Sequence, residues 1–167
     1  MRYADGPTVR VDLVVNAPEG AVWDAVIDIN LGAVAGREYQ GGHWLDDGPR
    51  LGARFCGRNA HPAIGEWETT STVVRFEQGR AFAWAVGDPD DPAATWWFEI
   101  DPVGTADSGA VRVTHGARLG PGPSGLTPAI LAMPDKEERI VARRLGEWEQ
   151  NMTATLASLR ARLEHTR

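Results

Sequence analysis

The sequence holds a single cysteine and a single lysine, Cys56 and Lys136, among its 167 residues. One cysteine excludes an internal disulfide, which is typical of proteins from a reducing compartment. With 17 Lys and Arg against 23 Asp and Glu, the net charge is −6, whereas nucleic-acid binding requires a basic surface. No apolar run approaches the roughly 18 residues of a membrane-spanning helix, and residues 1–10 lack the apolar centre of a secretion signal. These absences predict a cytoplasmic protein with no nucleic-acid partner and no membrane insertion.

Motifs for metals, cofactors and nucleophilic catalysis are also missing. The four histidines, at positions 43, 61, 115 and 165, do not have metal-ligand spacing. The segment GPGPSG at 120–125 fits the dinucleotide pattern G-x-G-x-x-G, but it follows the last predicted strand and no βαβ unit surrounds it. No G-x-S-x-G motif is present. We therefore expect no metal and no cofactor.

Tryptophan is the abundant residue type. Seven Trp stand against two Tyr and four Phe. Two interpretations remain open: the indoles fill a core, or they line a cavity, since ligand sites are mostly apolar with a few placed polar groups.

Periodicity gives the order of elements. Residues 8–15, TVRVDLVV, alternate as a strand. Pro18 suits the first turn of a short helix, and residues 30–37 form a second short helix or a turn. Six further strands are predicted between turn signals, over 38–45, 51–61, 65–76, 80–86, 95–101 and 109–119, with a hairpin loop at 103–109.

The C-terminal segment has the clearest pattern. Apolar residues recur in steps of three and four along one stripe, formed by Val141, Leu145, Trp148, Met152, Leu156, Leu159 and Leu163. Pro134 and Asp135 suit the start of this helix, which would contain roughly 30 residues and measure about 45 Å. Such a helix can lie across an entire curved sheet.

One strand, two short helices, six strands and a long helix define an α+β fold with an antiparallel sheet. The prediction is a single domain over 1–167, in which a seven-stranded meander wraps around the terminal helix. The sequence carries no indication of oligomeric state.

Four segments resemble the SRPBCC superfamily in their order along the chain. They are APEGAVWDAV at 17–26, GPRLGARFCGRN at 48–59, EQGRAFAW at 77–84 and NMTATLASLRARLE at 151–164. That superfamily includes START-related lipid-transfer proteins, birch-pollen-allergen-like proteins and polyketide cyclases/dehydratases. The resemblance implies a helix-grip fold with a cavity between sheet and helix, and it implies no shared catalytic residues. The glycines of LGAVAGREYQGG at 31–42, where relatives often carry an aromatic residue, indicate a reshaped cavity entrance.

Strand alternation assigns side chains to the cavity face. Arg54, Cys56 and Arg58 share one face of GARFCGRNAHP, so Phe55, Gly57, Asn59 and His61 share the inner one. The same parity places Trp97 outside. The residues predicted to bind a ligand are Phe55, Asn59, Trp67, Ser71, Trp84, Trp96, Phe98, His115, Trp148 and Met152.

Three function classes remain open. In the first, the protein is a carrier or sequestering protein that binds a hydrophobic, polycyclic or aromatic small molecule. In the second, implied by one branch of the superfamily, it is a polyketide cyclase or dehydratase with His115 as base, His61 second to it, and Asn59 as donor to an enolate oxygen. That role assumes a histidine near its reference pKa of about 6.5. In the third, an exposed Trp97 makes the outer sheet face a protein-interaction surface.

Overall fold

The structure, a computed structural model, describes residues 1–105 and 108–165. Its strands are β1 (Thr8–Val15), β2 (Tyr39–Trp44), β3 (Arg54–His61), β4 (Gly65–Glu77), β5 (Ala81–Val86), β6 (Ala94–Pro102) and β7 (Val111–Leu119). Its helices are α1 (Glu19–Val26), α2 (Leu31–Val34), α3 (Thr127–Ala132) and α4 (Glu137–Glu164), and 3-10 turns occupy Tyr3–Asp5 and Pro134–Lys136. The predicted hairpin loop 103–109 joins β6 to β7, and its residues 106 and 107 lie outside the described residues.

The seven strands form one antiparallel sheet in the order β1-β7-β6-β5-β4-β3-β2. Strands β2 to β7 follow one another as hairpins, and β1 pairs with the last strand, β7, where Val11 lies opposite His115. The connection through α1 and α2 therefore runs from one edge of the sheet to the other. The predicted α+β helix-grip architecture is confirmed.

Inward and outward side chains alternate along most strands, but a bulge in β4 interrupts the alternation. The pairing of β4 with β5 shifts register between Val73 and Arg75. After this shift Phe76, rather than Arg75, faces the core, and its ring lies 5.3 Å from that of Trp23. The extra residue, Val74, is exposed. The bulge thus keeps a charged side chain out of the interior.

Helix α4 lies against the concave face of the sheet through the predicted stripe. Val141, Trp148, Met152, Leu156 and Leu159 are buried. The segment at Pro134 and Asp135 forms a 3-10 turn rather than the first turn of α4, which begins at Glu137. The Oε1 atom of Glu137 accepts a hydrogen bond from the backbone N–H of Tyr3 at 3.0 Å, so the N-terminal segment is held at the start of the helix.

The core divides into two clusters along α4. One unites Leu156 and Leu159 with α1 and with buried residues of β4 to β7. The other unites Val141, Trp148 and Met152 with the C-terminal half of β7. Hydrophobic burial on this scale is the main stabilising term of the fold. No helix within 1–105 and 108–165 has the length and apolar content needed to span a membrane.

The convex face corrects one expectation about Trp97. Its side chain points outward as predicted, but it is half-buried because the indole lies against Gly116. A Cβ atom at residue 116 would collide with Cε2, Cζ2 and Nε1 of Trp97. Trp97 therefore shields the backbone of the neighbouring strand and is not a free aromatic patch.

Candidate functional site

A cavity of about 530 Å³ lies between the concave face of the sheet, α2 and α4. All ten residues predicted to bind a ligand line this cavity: Phe55, Asn59, Trp67, Ser71, Trp84, Trp96, Phe98, His115, Trp148 and Met152. The exposed members of the lining, Arg37, Ile64 and Gly125, mark the mouth where the cavity reaches the surface. The structure thus brings together the residues that strand parity and the α4 stripe predicted, and their contact with a ligand stays a prediction.

Aromatic rings from four strands form much of the sheet side of the cavity, beside Thr69 and Ser71 of β4. The ring of Trp84 lies 6.1 Å from that of Phe55, 5.3 Å from Phe82, 6.0 Å from Phe98 and 6.4 Å from His115. These residues come from β3, β5, β6 and β7, whose inward positions line up across the sheet. Edge-to-face and tilted contacts at such distances are the favourable arrangements for aromatic pairs.

A second aromatic contact joins the sheet to the helix. Trp96 of β6 and Trp148 of α4 lie 4.7 Å apart between ring centroids, at an interplanar angle of 50°. Trp96 also lies 5.8 Å from the ring of His115. The two indoles therefore close the cavity at the side where β6 meets α4.

His115 lies on this aromatic wall, and its side chain is almost wholly buried, at 5% exposure. Its ring is stacked on that of Phe98, with centroids 3.9 Å apart and an interplanar angle of 12°. Its Nδ1 atom lies 2.9 Å from the carbonyl oxygen of Trp97. A carbonyl only accepts, so Nδ1 carries the proton and Nε2 carries a lone pair.

Burial lowers the pKa of His115 to about 4, and the hydrogen bond to the Trp97 carbonyl offsets only part of this shift. The imidazole is neutral at physiological pH, because charging it would cost the desolvation of an ion in an apolar wall. The base role considered for His115 assumes a pKa near 6.5, and burial lowers the pKa well below that value. The sequence showed the inward parity of His115, but not how completely aromatic rings surround it.

His61 lies outside the cavity lining, contrary to the parity that placed it with Asn59. Its Nε2 atom lies 3.1 Å from Oε2 of Glu147 on α4. Its Nδ1 atom accepts a hydrogen bond from the backbone N–H of Ala63 at 3.0 Å, so Nε2 is the donor to the carboxylate. The turn that ends β3 at Pro62 directs the ring toward α4 instead of the cavity.

Four residues form a chain of ion pairs and one hydrogen bond at the mouth, which we term the mouth clasp: Glu38, Arg144, Glu147 and His61. Arg144 binds Oε1 of Glu38 at 2.8 Å and Oε2 of Glu147 at 2.8 Å. Glu38 and Arg144 are both part of the cavity lining. The clasp thus connects the segment after α2, the end of β3 and helix α4.

The partners of Glu147 in the mouth clasp stabilise its charged form. Partial burial alone would raise the pKa of Glu147, but the hydrogen bond and charge of Arg144, helped by His61, hold it below the usual value. The Arg144 guanidinium also lies 5.6 Å from the ring centroid of Trp148, within range of a cation–π interaction. Its positive charge is therefore engaged on three sides.

Tyr39 lies against two glycines of the 31–42 segment, Gly32 and Gly42, and against Gly57 of β3. A Cβ atom at Gly57 would lie 2.8 Å from Cε2 of Tyr39, and one at Gly42 would lie 2.7 Å from its hydroxyl oxygen. Gly32 of α2 borders the same ring, at 3.4 Å for such an atom. The glycines form a slot that Tyr39 fills, so the space over Gly57 is closed to a ligand. Burial, with a smaller effect of Cys56, raises the pKa of Tyr39 to about 12.

The seven-stranded sheet closed over a cavity by a C-terminal helix defines a helix-grip protein. No protein-family model matches the chain, and no curated protein matches it. Among solved structures, it is similar to the polyketide cyclase-like protein Cgl2372 of Corynebacterium glutamicum, at 28% identity and a TM-score of 0.62, over 95% of this chain and 94% of that one.

Two further structures share the architecture at lower identity. Ara h 8.0201 matches at 8% identity and a TM-score of 0.57, over 92% of this chain and 97% of that one. The di-domain ARO/CYC BexL matches at 17% identity and a TM-score of 0.64, over 95% of this chain and 50% of that longer one. The chain therefore has an SRPBCC-type fold, as its sequence indicated.

Proposed function

We propose that this protein binds a hydrophobic, polycyclic or aromatic small molecule in its cavity and acts as a carrier or sequestering protein. The observation that carries the proposal is the aromatic-lined cavity of about 530 Å³. Pockets of about 300–1,000 Å³ with mostly apolar walls and few polar groups are typical ligand sites. Stacked rings on the sheet side and Trp148 on the helix side would hold a flat ligand between them.

The polar groups of the cavity support binding by orientation rather than by charge. Glu38 and Arg144 neutralise each other at the mouth. Asn59 lines the wall, and its side-chain amide makes no hydrogen bond to protein within residues 1–105 and 108–165. An amide free to donate and accept suits a ligand oxygen.

A second candidate is aldol-type cyclisation and dehydration of a polyketide. The similarity to a polyketide cyclase-like protein at 28% identity favours it. Such a reaction needs a base to remove a proton beside a carbonyl. His115 would be that base and Asn59 the enolate donor, but a pKa of about 4 makes His115 a weak proton acceptor, and His61 lies outside the lining. Binding without chemistry therefore has the stronger support.

The protein-interaction candidate rested on an exposed Trp97, and Trp97 is half-buried against Gly116. We do not pursue it.

Tryptophan fluorescence tests the binding proposal. The uncharged anilinonaphthalene dye N-phenyl-1-naphthylamine should quench the protein's emission, with saturation at micromolar dye. Trp96→Phe should reduce the quenched fraction, whereas the matched control Trp97→Phe, one residue further and on the convex face, should not. Native mass spectrometry of freshly purified protein would detect a co-purifying ligand. Absence of any fluorescence change with several chemically diverse apolar probes would show a filled core and overturn the proposal.

Incubation with a linear poly-β-ketone thioester mimic separates the two candidates. Cyclisation followed by dehydration removes one water from the substrate, and mass spectrometry detects that loss. A binding protein should return the mimic unchanged, at a rate no faster than buffer. Water loss that depends on His115 would instead favour the cyclase.

A further inference from the structure

The Nε2 atom of His115 is a hydrogen-bond acceptor on the cavity wall. Nδ1 is bound to the Trp97 carbonyl at 2.9 Å, so it is directed at the backbone of the sheet. The two nitrogens of an imidazole point in nearly opposite directions. Nε2 is therefore directed away from the sheet, and His115 lines the cavity on that side. Within residues 1–105 and 108–165, Nε2 has no hydrogen-bond partner.

The neighbours of the imidazole are aromatic rings, and among the described residues none of them donates to Nε2. Phe98 covers one face of the ring at 3.9 Å, and the indoles of Trp84 and Trp96 lie within 6.4 Å and 5.8 Å of it. An acceptor that a bound molecule covers without supplying a donor costs about 1–3 kcal/mol. A ligand that donates to Nε2 avoids that cost, while a ligand without a donor incurs it.

Building on the proposed function, we infer that the ligand of this cavity is a hydroxylated aromatic molecule whose neutral phenol or enol hydroxyl donates to Nε2 of His115. The ring system would lie against the Trp84 and Trp96 indoles, and the hydroxyl would reach the stacked imidazole. A site that hydrogen-bonds a hydroxyl of its ligand discriminates strongly against an analogue without that hydroxyl. An apolar pocket discriminates less between ligands that differ only in size.

Two further features fix the charge state of the ligand. Nε2 has only a lone pair to offer, so a phenolate oxygen, which can only accept, would be repelled by it. Of the two arginines in the lining, Arg144 is engaged by Glu38 and Glu147 at 2.8 Å each, and Arg37 is exposed to solvent at the mouth. An anionic oxygen would therefore meet no donor at His115, and it would meet an unengaged guanidinium only at the solvent-exposed mouth. The inner end of the cavity selects the neutral hydroxyl.

Three probes with the same ring system test this inference. They are 2-naphthol, its methyl ether and naphthalene, of which only the first has a donor. Competition against the anilinonaphthalene dye gives each dissociation constant. The wild-type protein should bind 2-naphthol about tenfold more tightly than the other two, equivalent to about 1.4 kcal/mol. His115→Phe keeps a flat ring on Phe98 and removes the acceptor, so this preference should fall to nearly one while naphthalene binding is retained.

A measurement on the unmodified protein covers the case in which His115→Phe does not fold. The ¹⁵N chemical shift of an imidazole nitrogen reports whether its lone pair accepts a hydrogen bond. The Nε2 resonance of His115 should move when 2-naphthol binds and stay in place when the methyl ether binds.

The failures of the two proposals are distinguishable. Equal affinities for the three probes in the wild-type protein, or an unchanged Nε2 resonance with bound 2-naphthol, would overturn the hydroxyl inference and leave the apolar cavity intact. A preference that persists undiminished in a folded His115→Phe variant would overturn it as well. Absence of binding by the dye and by all three naphthalenes would overturn the proposed function and this inference with it.

Discussion

The rings of His115 and Phe98 lie face to face on neighbouring strands, with centroids 3.9 Å apart and planes inclined by 12°. The two residues are register partners in the pairing of β6 with β7. Sheet geometry therefore fixes the stack, and the stack fixes the imidazole in an apolar setting. The stack helps to bury the imidazole, and burial lowers the pKa of His115.

Acid should destabilise the protein through His115. The folded-state pKa of about 4 lies below the unfolded value near 6.5, so between these values the unfolded chain binds the additional proton. Stability should therefore fall as the pH drops through this window, by about 2–3 kcal/mol by pH 4.5. Urea denaturation at pH 7.5 and pH 4.5 measures the loss. In His115→Phe, the decrease in unfolding free energy between these two pH values should be smaller by about 2–3 kcal/mol. Equal decreases in the two proteins would contradict the assignment.

Asn59→Ala should weaken binding of 2-naphthol or the dye by about 1 kcal/mol, which is roughly fivefold in the dissociation constant. Its amide lines the cavity without a protein partner, so the folding free energy should change less than the binding free energy. The control is His61→Ala, which removes a side chain directed at Glu147 and should affect affinity less. Equal affinity losses in the two variants would show that Asn59 makes no specific contact.

Leu156→Ala should lower the free energy of unfolding by about 2–5 kcal/mol, because it empties a core position on α4. Leu156 is 1% exposed. Leu131, on α3, is 77% exposed, so Leu131→Ala is a matched control expected to change stability by less than about 0.5 kcal/mol. Thermal or urea unfolding gives both values. A negligible effect of Leu156→Ala would show that the helix stripe does not pack on the sheet.

The mouth clasp should show measurable coupling between Glu38 and Arg144. A double-mutant cycle with alanine at both positions should give an interaction energy of about 1–2 kcal/mol, because both side chains are mostly shielded from solvent, at 12% and 13% exposure. The reference is the pair of Arg75 and Glu77, which is about half exposed and should couple by less than about 1 kcal/mol. If the interaction energy of Glu38 and Arg144 did not exceed that of the reference pair, the clasp pair would be no stronger than a solvent-exposed ion pair.

Replacing glycine by alanine should lower stability in the Tyr39 slot and raise it in helix α4. Gly57→Ala should destabilise the fold by about 1–3 kcal/mol, because the new methyl group would displace the Tyr39 ring. Gly146→Ala, within α4 and with no atom near the added group, should stabilise it by about 0.5–1 kcal/mol. Denaturant midpoints measure both changes. A neutral Gly57→Ala would mean that the ring moves aside without cost.

Short-range patterns account for what the sequence predicted. Alternation in β7 predicted that His115 faces the cavity, and the apolar stripe of α4 predicted the positions of Trp148 and Met152. These signals need only the two-residue period of a strand and the 3.6-residue period of a helix. They fail at irregularities, as at the Val74 bulge, where nothing in the local sequence marks the additional residue.

Relationships between distant segments could not be predicted in this way. Arg144 and Glu147 stand three apart on one helix, a spacing at which side chains meet. Their contacts with Glu38 and His61 depend on how α4 crosses the sheet, which no periodicity encodes. The Tyr39 slot has the same cause, since the facing glycines come from β2, β3 and α2. For the same reason the apolar enclosure of His115, and with it the low pKa, became evident only in the folded protein.

The position of β1 at the edge beside β7 has a consequence for chain entropy. Taken alone, the pairing of Val15 with Val111 closes a loop of about a hundred residues. Once the hairpins from β2 to β7 exist, the segment still to be closed is the 16–38 connection, shorter by roughly two doublings. Each doubling of a flexible loop costs about 0.6 kcal/mol. The meander therefore lowers the entropic cost of adding the first strand by about 1 kcal/mol, and α1 and α2, lying within that connection, shorten its flexible part further.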